Sequence, residues 1–199
     1  MKNLTITIYL ILAVILGGMG TSWGGDKEKG IAAYDSGDYA TALQEWTPLA
    51  EQGDDGAQFM VGTMYEKGDG VPQDSQIAVK WYTLAAEQGH DPAQTNLGTM
   101  YRKGDGVPQD YESAVKWYTL AAEQGNAAAQ TLLGFMYAVG HGVIQDSIHA
   151  HMWWSIAASN GIEAAGRLRD KVAKEMTADQ IEKSQELALD CVLKEHKEC

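Results

Sequence analysis

Blocks of apolar and small residues alternate along this chain with short polar breaks that carry glycine, and the alternation repeats. Ala57 to Pro92 and Ala93 to Ala128 are identical at 26 of 36 positions. The segment AQxxxGTMYxKGDGVPQD occurs twice, each time followed by AVKWYTLAAEQG. A third copy begins at Ala129, with AQTLLGFMYAVGHGVIQD and then AHMWWSIAASNG. The period is 36 throughout, as in Gly62, Gly98 and Gly134, or Trp81, Trp117 and Trp153. A fixed period of this length marks a repeat architecture.

Each copy predicts two helices. The first begins at a capping Asp55 or Asp91, with Gln58 or Gln94 three residues on, because a capping carboxylate accepts backbone N–H bonds and the Gln can reach back. Pro92 then falls at the first helical position. That helix ends at Gly68, Gly104 and Gly140, where glycine adopts a left-handed conformation at little cost. Asp74, Asp110 and Asp146 cap the second helix, which stops at Gly89, Gly125 and Gly161.

A degenerate copy precedes these three. In Gly30 to Gly53, Tyr34–Gly37 mirrors Tyr65–Gly68 at an offset of 31, and Asp38 mirrors Asp74 at 36. The difference is the missing GDGVP loop. After Gly161 the period fades, although Ile162–Met176 and Thr177 to about Leu193 still predict helices, the latter opened by a Thr177/Gln180 capping box. One helix pair is too small to bury its own apolar stripe, so successive pairs stack on a continuous core. Gly62, Gly98 and Gly134, with Ala85, Ala86, Ala121 and Ala122, allow close helix approach. The predicted fold is all-α: a right-handed α/α superhelical solenoid of about four helix pairs, at about 26–53, 57–89, 93–125 and 129–161, closed by a C-terminal helical cap and tail over 162–199.

Composition narrows the function. With 15 Lys+Arg against 27 Asp+Glu, the chain carries −12. That argues against nucleic-acid binding, which needs a basic surface. Lys2 precedes an apolar run from Leu4 to Leu16 and then the small residues Gly17, Gly18, Gly20 and Ser22. This pattern predicts a secretory signal peptide over 1–22, the run being shorter than the ~20 residues that span a bilayer. An uncleaved anchor extending through Trp23 is the alternative. Lys2 is the only charged residue before Asp26, so the chain from residue 26 carries −13. Export leads to a periplasmic or secreted, oxidising location. The only cysteines are Cys191 and Cys199. On one straight helix they would stand about 12 Å apart, beyond the ~7 Å limit for a disulfide. A Cys191–Cys199 bridge therefore requires the helix to end soon after Cys191 and the tail to fold back; two free thiols or an intermolecular bridge are the other arrangements.

The repeated motifs closely resemble the Sel-one-like repeat family, relatives of the tetratricopeptide repeat. The family pattern AxxxLGxMYxxGxGVPxDYxxAxxWYxxAAxxG is matched almost throughout by Ala93–Gly125. HMWWSIAASNG and RLRDKVAKEMTADQIEKSQELA resemble the closing segment of exported bacterial members. The resemblance implies a non-enzymatic scaffold for protein or peptide partners, with no cofactor. No repeat contains Cys, so the β-lactam binding associated with the cysteine-rich branch is not carried over.

Positions that change between copies at helical surface spacing are candidates for recognition. Phe59, Thr63 and Glu66 share one face of a first helix. Their equivalents are Thr95, Thr99 and Arg102, then Thr131, Phe135 and Ala138, with Glu28, Ala32 and Asp35 in the degenerate copy. Analogy with tetratricopeptide repeats places this face on a concave groove. Phe59 and Phe135 would be apolar anchors, and Arg102 a fork for a carboxylate. The competing reading packs both phenylalanines against neighbouring helices.

Other constellations point to no chemistry. Ser113 and Lys116 fit a Ser-x-x-Lys motif, but Ile77 replaces Ser113 in the preceding copy and no Ser-Asp-Asn or Lys-Thr-Gly partner exists. His149 and His151 are two apart, the wrong spacing for a helical metal pair, and no metal site is expected from them or His141. The strictly repeated Trp81-Tyr82, Trp117-Tyr118 and Trp153-Trp154 pairs are expected to pack in the core. The leading function is a groove-bearing protein or peptide binder; the alternatives are a β-lactam or cell-wall hydrolase and a self-assembling module.

Overall fold

The computed structural model describes residues 25–197 and residue 199. The segment predicted as a signal peptide, 1–22, lies outside them. The described residues form ten α-helices and no strand: α1 (Lys27–Asp35), α2 (Tyr39–Glu51), α3 (Asp55–Lys67), α4 (Ser75–Glu87), α5 (Asp91–Lys103), α6 (Tyr111–Glu123), α7 (Ala127–Val139), α8 (Ser147–Ser159), α9 (Glu163–Ala173) and α10 (Ala178–Leu193). From α1 to α9 each helix packs on the next, which makes an α/α solenoid. The last helix breaks the order. Instead of extending the stack beyond α9, α10 lies back across α8.

The repeat dictates the element lengths. From α2 to α8 every helix has 13 residues. The second helix of each copy is capped as predicted, with Asp74, Asp110 and Asp146 each accepting two backbone N–H bonds. The caps of the first helices are corrected by one residue. Asp54, not Asp55, accepts from the Ala57 amide at 2.8 Å, and His90, not Asp91, accepts through Nδ1 from Ala93 at 3.3 Å. Asn126 does the same for α7. The cause is the left-handed glycine that closes the preceding helix, Gly53 or Gly89. The very next residue is already extended and takes the capping position, which moves Pro92 to the second helical position.

Gln58 and Gln94 consequently do not reach back to a cap. Each is buried and crosses to the preceding helix. Gln58 Nε2 donates to Ala50 O at 3.1 Å and its Oε1 accepts from Gln88 at 2.8 Å. Gln94 links Ala86 and Gln124, and Gln130 links Ala122 and Asn160, in the same way. Carbonyls in the last turn of one copy, which already accept from Gly53, Gly89 and Gly125, thus take a second bond from the next copy.

Tyr82, Tyr118 and Trp154 fill the core opposite Gly62, Gly98 and Gly134. A Cβ on Gly98 would lie 2.8 Å from the Tyr118 ring and 3.2 Å from Ala114 O, so no larger residue fits. Trp81 and Trp117 are half-buried against the same clusters, and Trp153 is fully buried. The GxG loops also seat one copy on another: a Cβ on Gly106 would fall 2.3 Å from Ser75 O, at the start of α4.

At the C-terminus the Thr177/Gln180 capping box forms. Met152, Ile156, Leu187 and Cys191 join α10 to α8. The chain reverses through Glu195 and His196, both at positive φ, and returns Cys199 to Cys191 with Cα atoms 5.1 Å apart in a disulfide. This is the fold-back that the eight-residue separation demanded.

Candidate functional site

The first helices α3, α5 and α7 carry one register of side chains that changes from copy to copy. In α3, the Thr63 hydroxyl donates to Phe59 O at 2.9 Å and lies 3.1 Å from Tyr82 Oη. Tyr82 in turn donates to the Glu66 carboxylate. Burial and this adjacent carboxylate push the Tyr82 phenol far above its ordinary pKa, so it remains a donor. Phe59 is half-buried, stacked on His90 at 4.8 Å and packed against Tyr82 at 5.8 Å.

In α5, Thr95 is buried, as Thr63 is in α3, and its hydroxyl donates to Asp91 O. Thr99 lies 3.1 Å from Tyr118 Oη, and Arg102 Nε donates to that same oxygen at 3.3 Å. Glu66 and Arg102 therefore hold equivalent places with opposite charge. In α7 the set turns apolar. Phe135 stands where Thr63 and Thr99 stand, Trp154 replaces the tyrosine, and Ala138 replaces Glu66 and Arg102. The Trp154 indole donates to Thr131 O at 3.0 Å. In α1, Glu28 and Asp35 are exposed.

Phe135 is 39% exposed. With Ala138, Val139 and Trp154 it forms one wall of a cleft of about 280 Å³. The other wall comes from α9: Leu168, Lys171, Val172 and Glu175. The sequence reading missed this wall. The signal was there in spacing, since α5, α7 and α9 begin at 91, 127 and 163, one period apart. It was hidden because Arg169 and Asp170 occupy the places of Leu133 and Gly134.

The residues set aside in sequence have structural partners. Ser113 Oγ donates to its own cap, Asp110, at 2.6 Å, and the Lys116 ammonium lies 5.7 Å from the Trp117 ring. His149 pairs with Asp146 at 2.7 Å and stacks on Tyr137. His141 stacks on Tyr111. His151 is buried, 2.7 Å from the Ser184 hydroxyl of α10. Among the described residues no three His, Cys, Asp or Glu side chains converge as a metal site, and no helix is long and apolar enough to cross a membrane.

The family model described as Sel1 repeat matches residues 56–90, 91–126 and 127–162. Among solved structures, a Sel1 repeat protein from Oxalobacter formigenes is 38% identical with a TM-score of 0.65, over 68% of this chain and 54% of that one. The protein c5321, a protective antigen present in uropathogenic Escherichia coli strains and displaying an SLR fold, is 28% identical with a TM-score of 0.54, over 85% of this chain and 46% of that one. Helicobacter pylori cysteine rich protein B shares the fold, at 20% identity and a TM-score of 0.53, over 66% of this chain and 94% of that one. The chain thus spans about half the length of the first two. No curated protein matches it.

Proposed function

Because the chain belongs to the Sel1 repeat family, whose members usually serve as protein-interaction scaffolds, we propose that it is a non-enzymatic scaffold that binds a peptide or protein segment along the face formed by α3, α5 and α7. One observation carries this reading. Between copies core positions such as Ala57/Ala93/Ala129 and Met64/Met100/Met136 stay fixed, while positions of this face change from Glu66 to Arg102 to Ala138 and from Thr63 and Thr99 to Phe135. A purely structural repeat has no need for such variation. Phe135 and Arg102 are the anchors in this reading, since aromatic and Arg side chains dominate binding energy at interfaces; Phe59 contributes through its packing on His90. Thr131 lines the face, where Thr95 is buried, and Glu28 and Asp35 extend it at the α1 end. The disulfide fits an oxidising compartment, and with the Leu4–Leu16 run it supports export to the periplasm or beyond.

The test is crosslinking in cells followed by mass spectrometry, comparing the native chain with Phe135→Glu and Arg102→Glu. Both side chains are partly exposed, so helicity is expected to hold. A crosslinked protein lost in both variants is the expected result. A partner retained by both would place binding elsewhere on the molecule.

A further inference from the structure

The groove register continues into α9, and there its chemistry changes. Adding one period to Thr131, Phe135 and Ala138 gives Arg167, Lys171 and Lys174. Along this register the charges run from Glu28 and Asp35 in α1, through Glu66 in α3 and Arg102 in α5, to three cations at α9. The chain as a whole is strongly acidic, so this order is not a sample of its average surface. Nor are the cations consumed internally. Lys171 and Lys174 form no ion pair among the described residues, and Arg167 has only an exposed i,i+4 contact with Glu163 at 3.6 Å, a type worth little. Immediately beside them lies the apolar cleft, with Phe135 and Trp154 facing Leu168 and Val172.

We propose that the α7–α9 end of the groove is a subsite for an acidic–apolar peptide segment, one bulky aliphatic or aromatic side chain entering the cleft while adjacent carboxylates meet Lys171 and its neighbours. This rests on the groove reading above and adds to it a ligand class and a direction. The cleft of about 280 Å³ suits a side chain rather than a large cofactor. Apolar burial supplies affinity, and the cations select the flanking residues. The charge gradient orients the segment, with its acidic part at α9 and any basic part toward Glu66 and α1. Glu175 also lines the cleft and opposes a carboxylate there, so its removal should favour the same ligands.

The experiment is selection of a displayed random-peptide library on the full chain as the cell processes it. The best peptides are then synthesised and their binding measured by fluorescence anisotropy. Enriched sequences are expected to place Leu, Ile, Phe or Trp beside Asp or Glu. Lys171→Glu should weaken them about tenfold or more, equivalent to about 1.4 kcal/mol. Glu175→Gln should tighten them, and Phe135→Glu should abolish binding with unchanged far-UV dichroism. Peptides that need Phe135 but lack acidic residues and ignore Lys171→Glu overturn this proposal while leaving the groove reading intact. Peptides indifferent to Phe135→Glu, Arg102→Glu and Lys171→Glu overturn both. No enrichment over the Phe135→Glu chain also overturns it, and a dimer in sedimentation that this variant dissociates would assign the cleft to a second copy.

Discussion

At the residue scale, the buried glutamines show how a repeat polices its own junctions. Gln94 is 3% exposed, takes the amide of Gln124 and gives its own to Ala86 O. Gln94→Ala would remove both bonds at once, although Ala86 O keeps its bond from the Gly89 N–H. A net hydrogen bond contributes about 0.5–1.5 kcal/mol, so chemical denaturation of the variant is expected to show a loss of about 1–3 kcal/mol. A Gln124→Ala change keeps the bond to Ala86 O but leaves the buried Gln94 Oε1 without its donor, so a loss of similar size is expected; a Gln124→Ala chain as stable as the parent would contradict the relay. This role was not legible in sequence. Asp55-x-x-Gln58 and Asp91-x-x-Gln94 have the spacing of a capping box, and local spacing cannot reveal a partner eight residues back on another helix. The shift of each cap to Asp54 and His90 follows from the same limitation, because the left-handed glycine that sets it is a property of the preceding helix's end. By contrast, Gly98 was legible as a contact point, and the 2.8 Å approach of the Tyr118 ring bears this out. Gly98→Ala gains up to about 1 kcal/mol in helix propensity. The overpacking penalty, typically about 1–3 kcal/mol, outweighs this, so net destabilisation is expected in the same assay.

At the element scale, α10 is the piece that departs from the repeat, and His151 fastens it. The Ser184 hydroxyl donates to Ile181 O at 2.7 Å, which leaves its oxygen to accept from His151 Nδ1 at 2.7 Å. Burial lowers the His151 pKa, the nearby Arg169 lowers it further, and Asp170 offsets this in part. The neutral ring is the form that fits. A base with a depressed folded pKa binds fewer protons folded than unfolded, so its contribution is complete above the unfolded value of about 6.5 and is lost as pH falls toward the folded value. Hydrogen exchange of the α10 amides is therefore expected to accelerate as pH falls below about 6.5, while α3 to α6 remain protected. The His151→Gln chain should show a flatter profile. Carboxylates held low by their partners, such as Asp146 beside His149, act only at more acidic pH, which separates the two effects. The existence of α9 and α10 was readable from their patterns, and so was the condition for the disulfide. Their placement was not. Met152 stands where Lys80 and Lys116 face solvent in earlier copies, and that substitution was the available sign that something covers α8.

At the scale of the whole molecule, the solenoid is close to one-dimensional: each copy touches only its neighbours, so stability is a sum of copies and interfaces. Removal of one entire period tests this directly. Deleting Ala93–Ala128 joins Pro92 to Ala129, and the composite helix begins with His90, Asp91 and Pro92 and continues as Ala129–Val139. Every core place is refilled in kind. Ala129, Leu133 and Met136 take the positions of Ala93, Leu97 and Met100 against Ala85 and Ala86, and Gln130 reaches Ala86 O in place of Gln94. Gly134 remains opposite Trp154, and α9 and α10 keep their contacts with α8. The shortened chain should unfold in one cooperative transition at a lower temperature than the parent, since one helix pair and one interface are lost. Solution scattering should give a smaller radius of gyration with no sign of an unfolded segment. A deletion that is not one period long, for instance Ala93–Asp110, joins Pro92 to Tyr111, leaves a second helix where a first helix belongs and should abolish cooperative folding. The two deletions also separate scaffold from recognition. The in-register deletion removes Arg102 and brings Glu66 one copy closer to Phe135, yet leaves the cleft between α7 and α9 whole. A peptide held by that cleft should keep most of its affinity, whereas one that spans the groove as far as Arg102 should lose it.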